Sequence, residues 1–334
     1  MTVEATVEPR PMTATAVAHP NIALVKYWGK APAGDNVPAV GSLSITLGGL
    51  STRTTVRFDP ALPGDRFRLR GVEDPEAARR VSRCLDRVRR RLGVASFAEV
   101  DSENDFPTAA GLASSASGFA ALVTAADAAL GGGLGPAERA DLARRCSGSA
   151  ARSIFGGFVE LRPTPGGPLP AETHQLLEPE AWPLEVVVAV TAPGPKPTGS
   201  TEGMRLTERT SPYYRAWVEA SPAHLDEARR AVMARDFEAL AAIAEHSCLA
   251  MHAVMLSARP GLIYWNGATV ACLHRVRSLR AGGVPVFFTV DAGPQVKAIC
   301  APGAAAAVRE ALAAVPGVRT VLVSGLGPGA GVVG

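Results

Sequence analysis

Asn104-Asp105-Phe106-Pro107-Thr108-Ala109-Ala110-Gly111-Leu112-Ala113-Ser114-Ser115-Ala116-Ser117-Gly118 reads as the end of a strand, a loop of small residues and the opening of a helix. Small side chains let backbone N–H groups approach a polyphosphate closely, and the free N–H groups and dipole of a helix start favour negative charge. Ser114, Ser115 and Ser117 add hydroxyls able to bind phosphate oxygens or a magnesium ion. On composition alone, a helix capped by serines and packed through alanines accounts for the same residues. The loop lacks the lysine of G-x-x-x-x-G-K-[ST], so it is not a P-loop NTPase signature. The glycine-rich stretch 325–331 has no helix after it, which argues against a dinucleotide fingerprint and reads as a C-terminal loop.

Outward from that loop, TATAVAHPNIALVKYWG and SLSITL are β-type segments, followed by the alternating TRTTVRFD and RFRLRG. Residues 74–92 are helix-like, FAEVDSEN is a strand, 112–130 is a small-residue helix ended by glycines, and 136–145 is another helix. After the strand 157–162, the Pro/Gly-rich PTPGGPLP opens a linker, 164–182, before the apolar strand LEVVVAVTA. Helices are expected over 203–220, 223–257, 268–280 and 304–314, with strands PVFFTVDAG and RTVLVSG, an α+β order. The expected division is a loose tail over 1–18, a first domain over 19–182 and a second over 183–334.

At 334 residues, with 47% hydrophobic and 19% charged residues, the chain reads as a packed globule of two domains with a cleft between them. The net charge of +3 is dispersed, so no nucleic-acid partner is expected. Five cysteines, odd in number and without C-x-x-C spacing, suggest neither a disulfide framework nor a zinc site, and a reducing cytoplasm follows. No apolar run approaches the roughly 18 residues of a membrane helix, so no membrane partner is expected.

Several polar residues invite a chemical reading beside a plain one. Lys26, Tyr27 and Lys30 place two ammonium groups and a phenol on one short segment, as a polyanion requires, while lysines at a strand end also serve solubility. Ser149 and Arg152 share a helical face, where a guanidinium holds a carboxylate through two hydrogen bonds, or where a serine simply caps a helix. Ser200 precedes a helical run as a cap would. Asp291 ends an apolar strand before Ala292-Gly293-Pro294, a position suited to a general base or to a turn. None of the six histidines has metal spacing, and His252 reads as a packing residue.

PTAAGLASSASG resembles the ATP loop of the GHMP kinase superfamily in the form found in diphosphomevalonate decarboxylases. HPNIALVKYWGK, SLSITL, SGSAARSIFGGFVEL, STEGMRLT and TVDAGPQVK resemble the other motifs of that family in the same order. The resemblance implies a two-domain GHMP kinase fold, its N-terminal half like ribosomal protein S5 domain 2 and its C-terminal half ferredoxin-like. It implies an ATP- and Mg²⁺-dependent decarboxylase acting on diphosphomevalonate in the mevalonate pathway, yielding isopentenyl diphosphate, ADP, phosphate and carbon dioxide, and a cytoplasmic homodimer. By the same resemblance Asp291, Lys26 and Arg152 are catalytic, and Asn21, Tyr27, Lys30, Ser147, Ser149, Arg152 and Ser200 bind substrate. Ser102, Asn104, Pro107, Ala110, Gly111, Leu112, Ala113, Ser114, Ser115 and Ser117 bind ATP, with Ser115 on the metal. Cys146 and Thr201 depart from the family, which often has glycine and, in some members, arginine there. Phosphomevalonate decarboxylase, a kinase of the mevalonate 3-hydroxyl and a non-catalytic sensor of nucleotide or isoprenoid phosphate are the alternatives.

Overall fold

The computed structural model describes residues 12–32, 34–106, 114–194 and 196–334. The expected ATP-loop positions Pro107, Ala110, Gly111, Leu112 and Ala113 lie outside them. In chain order the first half comprises β1 (Met12–Ala18), β2 (Asn21–Val25), β3 (Ser42–Thr46), β4 (Thr52–Asp59), β5 (Arg66–Leu69), β6 (Val72–Glu73), α1 (Pro75–Leu92), β7 (Phe97–Asn104), α2 (Ser114–Ala129), α3 (Pro136–Cys146), a 3-10 turn (Ala150–Ile154), β8 (Phe158–Pro163) and β9 (Ala171–Leu177). The second half adds β10 (Glu185–Val190), α4 (Ser200–Thr210), α5 (Tyr214–Ala234), α6 (Phe237–Leu256), α7 (Gly267–Ala281), β11 (Val286–Val290), β12 (Val296–Cys300), α8 (Ala305–Ala313), β13 (Thr320–Gly325) and β14 (Gly331–Val333).

The described strands form three sheets, ordered β14-β1-β4-β7-β5-β6, β2-β3-β8-β9 and β11-β12-β10-β13. In the first, β4 alternates buried Thr52, Thr54, Val56 and Phe58 with more open residues, as a strand covered on one face must. The covering element is α2, whose alanines, all but one buried, let it lie close against β1 and β4. Thr52 hydroxyl ties the two layers together, lying 2.7 Å from Ser117 Oγ and donating to Asn104 Oδ1 at 2.6 Å. Asp74 caps α1 by accepting the N–H groups of Glu76 and Ala77, and Gly93 closes it at φ 70°, where a side chain would be strained.

Several expectations change. Met12–Ala18 pairs along its whole length with β4, as the β-type reading of 13–18 expected, so this part of the expected 1–18 tail belongs to the sheet. Residues 171–177, placed in the linker, form β9 against β8, since only the turn 164–170 carries the Pro/Gly composition. The expected C-terminal loop ends in β14, paired with β1. The helix over 203–220 is two helices, because Pro212 donates no N–H and disfavours helix at Ser211. The next break falls not near 223 but at Arg235, in left-handed backbone, where Asp236 caps α6 through Ala239 N–H; α5 runs on through Pro222.

α6 is long and apolar enough by length and composition to cross a membrane, contrary to the expectation that no such run exists. It packs inside the protein instead. Leu240, Ala241, Ile243 and Ala244 join a core with β2, β3 and β10, Cys248 joins the core under β11 and β12, and Met251, Val254 and Met255 surround Trp28. Burying each such Leu, Ile or Met side chain contributes about 1.5–3 kcal/mol. Cys84 of α1 and Cys146 of α3 form a disulfide, against the expectation of none: the two helices pack together, a proximity that a separation of 62 residues does not reveal.

Candidate active site

A cleft of about 1000 Å³ is lined by Asn21, Lys26, Tyr27, Lys30, Ser147, Ser149, Arg152, Ser200 and Asp291, so every residue expected to be catalytic or to bind substrate faces one space. Lys26 follows β2, where its N–H donates to Ser247 Oγ of α6 at 3.0 Å. Its ammonium donates to Ala23 O at 2.8 Å and to Asp291 Oδ1 at 2.6 Å. Asp291 follows β11, whose last residue is held by α6: Val290 N–H donates to Cys248 Sγ at 3.1 Å. The other carboxylate oxygen of Asp291 meets Lys297 Nζ at 3.1 Å. Burial works against ionisation of Asp291, but Lys26 and Lys297 outweigh it and hold the carboxyl far below the usual carboxylate range. It is anionic at any physiological pH.

Arg152, fully buried in the 3-10 turn, donates from Nη1 to Ser42 Oγ at 2.6 Å and from Nη2 to Asn21 Oδ1 at 3.1 Å. Its Nε has no hydrogen-bond partner among the described residues. Burial lowers its pKa to about 10, so it keeps its charge at neutral pH. Asn21 in turn donates to Ser149 O at 3.0 Å and Ser153 Oγ at 2.8 Å, fixing the turn that carries Ser149 and Arg152 to β2. Tyr27 lies against Gly148, where a Cβ would overlap its hydroxyl, and burial pushes that phenol up to about 12. The Tyr27 hydroxyl therefore stays protonated as a donor.

At the other end, Lys30 donates to Thr201 Oγ1 at 2.9 Å. Ser200 is the first residue of α4 and not its cap; Gly199 precedes it without side-chain capping, and Ser200 Oγ instead accepts from Lys196 Nζ at 2.5 Å. Lys196 also donates to Ala292 O at 3.0 Å, and burial lowers its pKa. Ser114 and Ser115 line both the cleft and an adjoining cavity of about 180 Å³, whose other walls include Ser102, Asn104, Phe67, Leu69, Val100, Phe119 and Leu122. The two spaces thus share the start of α2. Ser117 enters neither: it is fully buried on Thr52, because three residues into the helix its side chain faces the sheet. His252 is buried, takes the Trp265 indole N–H at 3.2 Å and is held neutral by burial, with Lys26 adding to the effect, its pKa falling to about 3.

Lys196, Lys297 and Arg80, which lines both spaces, were not among the expected site residues. Lys196 stands alone in a Pro/Gly loop, where nothing periodic marks it. Lys297 did carry a signal, a charge within the otherwise apolar strand VKAIC.

Residues 18–166 match the diphosphomevalonate decarboxylase-like N-terminal domain, and residues 186–319 match the mevalonate 5-diphosphate decarboxylase C-terminal domain. A diphosphomevalonate decarboxylase of Ganoderma lucidum is 37% identical over 308 residues, covering 84% of this chain and 76% of that protein. A phosphomevalonate decarboxylase of Haloferax volcanii is 34% identical over 288 residues, covering 85% of this chain and 87% of its own. The solved structure of MDDEF in complex with MVAPP, AMPPCP and magnesium has a TM-score of 0.88 at 36% identity, covering 97% of this chain and 99% of that one.

Proposed function

The chain belongs to the diphosphomevalonate decarboxylase family, with the GHMP-kinase-type fold, and on that premise we propose that Asp291, Lys26 and Arg152 form its reacting centre. The enzyme carries out the ATP-dependent decarboxylation of diphosphomevalonate to isopentenyl diphosphate, with ADP, phosphate and carbon dioxide as the other products, and uses Mg²⁺. The observation that carries the residue assignment is a carboxylate held between two buried ammonium groups at the wall of a cleft that also contains a buried guanidinium.

Asp291 accepts a hydrogen bond from the substrate's tertiary 3-hydroxyl and orients that oxygen toward the γ-phosphorus. As the new O–P bond forms, the bond to the β-phosphate oxygen breaks and ADP leaves with that electron pair. The hydroxyl proton passes to an oxygen of the transferred phosphoryl group, so the carboxylate stays anionic. Clamped by two lysines it is a weak base, so its main work is to fix the hydroxyl and to present negative charge. Phosphate departs from C3 with the C–O electrons, and the positive charge left on C3 is met by the Asp291 carboxylate. Arg152 holds the C1 carboxylate in line while the C1–C2 bond electrons pass to C2–C3, releasing carbon dioxide. Tyr27, Lys30 and Ser200 hold the distal phosphates, and Lys196 lies beside Ser200. Binding energy gathered there, away from the chemistry, serves the reacting end.

Ser114 and Ser115 suit the triphosphate, because the first-turn N–H groups of α2 have no intrahelical acceptor. A magnesium ion bound with ATP would be held by phosphate oxygens and the Ser115 hydroxyl, which lines both spaces at the start of α2. When bound, that ion neutralises charge on the transferring phosphoryl group. Ser102 and Asn104 sit in the adjoining cavity, whose apolar walls suit a purine. The reading includes a homodimer without nucleic-acid or membrane partners and a domain division at 182/183, which falls between the two matched stretches. A cytoplasmic location rests on the family alone, because the Cys84–Cys146 bridge removes the argument from unpaired cysteines.

Thr201, bonded to Lys30, brings no charge to the distal end, and the Haloferax volcanii relative acts on phosphomevalonate by name. That favours a monophosphate as the second reading. Incubation with ATP, Mg²⁺ and mevalonate carrying zero, one or two phosphates, with carbon dioxide and ADP measured, tests both. Equal turnover of all three would overturn the assignment of the distal contacts.

A further inference from the structure

We propose that Lys297 is a positioning residue for this reaction, holding Asp291 from behind so that one face of the carboxylate is kept turned toward the cleft; this rests on the reading given above. Lys297 lies on β12 directly opposite Thr289 of β11. Asp291, two residues beyond Thr289, projects on the same side of the sheet, so the two charges form a diagonal cross-strand pair. Their Nζ–Oδ2 separation is 3.1 Å, and Lys297 is 2% exposed. Lys26 and Asp291 line the cleft and Lys297 does not.

Burying an ammonium group costs several kcal/mol unless it is paired, so an apolar residue would serve a merely structural position on this strand better. Val296, Ala298, Ile299 and Cys300 around it are all apolar. Lys26 bonds Oδ1 and leaves Oδ2 without an ammonium partner; Lys297 on Oδ2 adds a second restraint against rotation about the Cβ–Cγ bond and against exchange of the two oxygens. The charged and titratable groups that act on Asp291 or are acted on by it are Lys26 after β2, Lys297 on β12, Lys196 before α4, Arg152 in the 3-10 turn, and Cys248 and His252 on α6. Of these, Lys26 and Lys297 are the ones that hydrogen-bond to the carboxylate and keep it ionised.

The test measures carbon dioxide release by the wild type, Lys297→Met, Lys297→Arg, Asp291→Asn and the Lys297→Met/Asp291→Asn double variant over a range of pH. Lys297→Met is expected to lower kcat about 10- to 100-fold, with both KM values within about twofold of wild type, and to move the acid limb of kcat to higher pH. Lys297→Arg should restore the acid limb. In the Asp291→Asn background the second substitution should cost nothing further, because the group through which Lys297 acts is already neutral. If Lys297→Met fails to fold, Lys297→Gln carries the same measurements. An unchanged kcat and acid limb, or a loss that adds in full to that of Asp291→Asn, would overturn the proposal while leaving the enzyme's reaction intact. A wild type that releases no carbon dioxide from diphosphomevalonate would overturn both.

Discussion

Asp291→Asn keeps the side chain's shape and removes its charge from between two ammonium groups whose side chains are 1% and 2% exposed. Removing one partner of a buried ion pair costs about 3–5 kcal/mol. Asp291 itself is 30% exposed to the cleft, so the lower end applies, about 3 kcal/mol, or about 6 °C in Tm for a protein of this size. The chemistry suffers separately: kcat should fall by roughly 10² to 10⁴, equivalent to about 3–5.5 kcal/mol of barrier, with near-normal KM for both substrates. The pH dependence follows from the depressed pKa. A carboxyl whose folded value lies below its unfolded value of about 3.9 stabilises the protein fully above that value and loses the contribution as pH falls toward the folded value. The Tm deficit of the variant should therefore be constant from about pH 6 to about pH 8 and shrink below about pH 4. Thermal melts across pH and coupled assays of ADP and carbon dioxide at saturating substrate measure all of this. Near-native carbon dioxide release from folded Asp291→Asn would refute the role given to the aspartate.

Arg152→Lys replaces two parallel donors by a point charge that reaches Ser42 or Asn21 but not both, and should lower kcat at least about tenfold with the KM for ATP unchanged; steady-state kinetics decide it. Ser115→Ala removes a hydroxyl shared by both cavities, and should weaken ATP use, read as a raised KM or lowered kcat at fixed Mg²⁺, more than it weakens binding of the phosphorylated acid. Cys84→Ser opens a covalent loop of 62 residues, a loss of up to about 4 kcal/mol by chain entropy, so its Tm should fall by several degrees and stop responding to dithiothreitol.

Much of this site could be read along the chain, because its groups stand where composition changes. The strand, small-residue loop and helix of 104–118 border the described β7 and α2. Asp291 was visible because it breaks an apolar run, and Lys26, Tyr27 and Lys30 because two ammonium groups and a phenol crowd one segment. What escaped depends on distance in sequence. The Cys84–Cys146 bridge arises from two helices packing side by side. Ser42 meets Arg152 through a bond between residues 110 apart, and the Lys297–Asp291 pair needs the β11–β12 register. The helix breaks at 211–213 and 235–236 were hidden for another reason: apolar spacing continues through both, and only Pro212 and the capping Asp236 mark the stops.

α6 sets a mechanical limit on how this enzyme can open and close. Lys26 comes from the first half of the chain and Asp291 from the second, yet the backbone at Lys26 is bonded to Ser247 and the backbone at Val290 to Cys248, neighbours on one helix. The rod that carries both references makes their separation a property of a single rigid body. A hinge running between the two halves at this point would have to shear a 2.6 Å buried ion pair at each turnover. Any closure that excludes water from the reacting end must therefore leave the Lys26–Asp291 pair in place and come from segments that α6 does not tie.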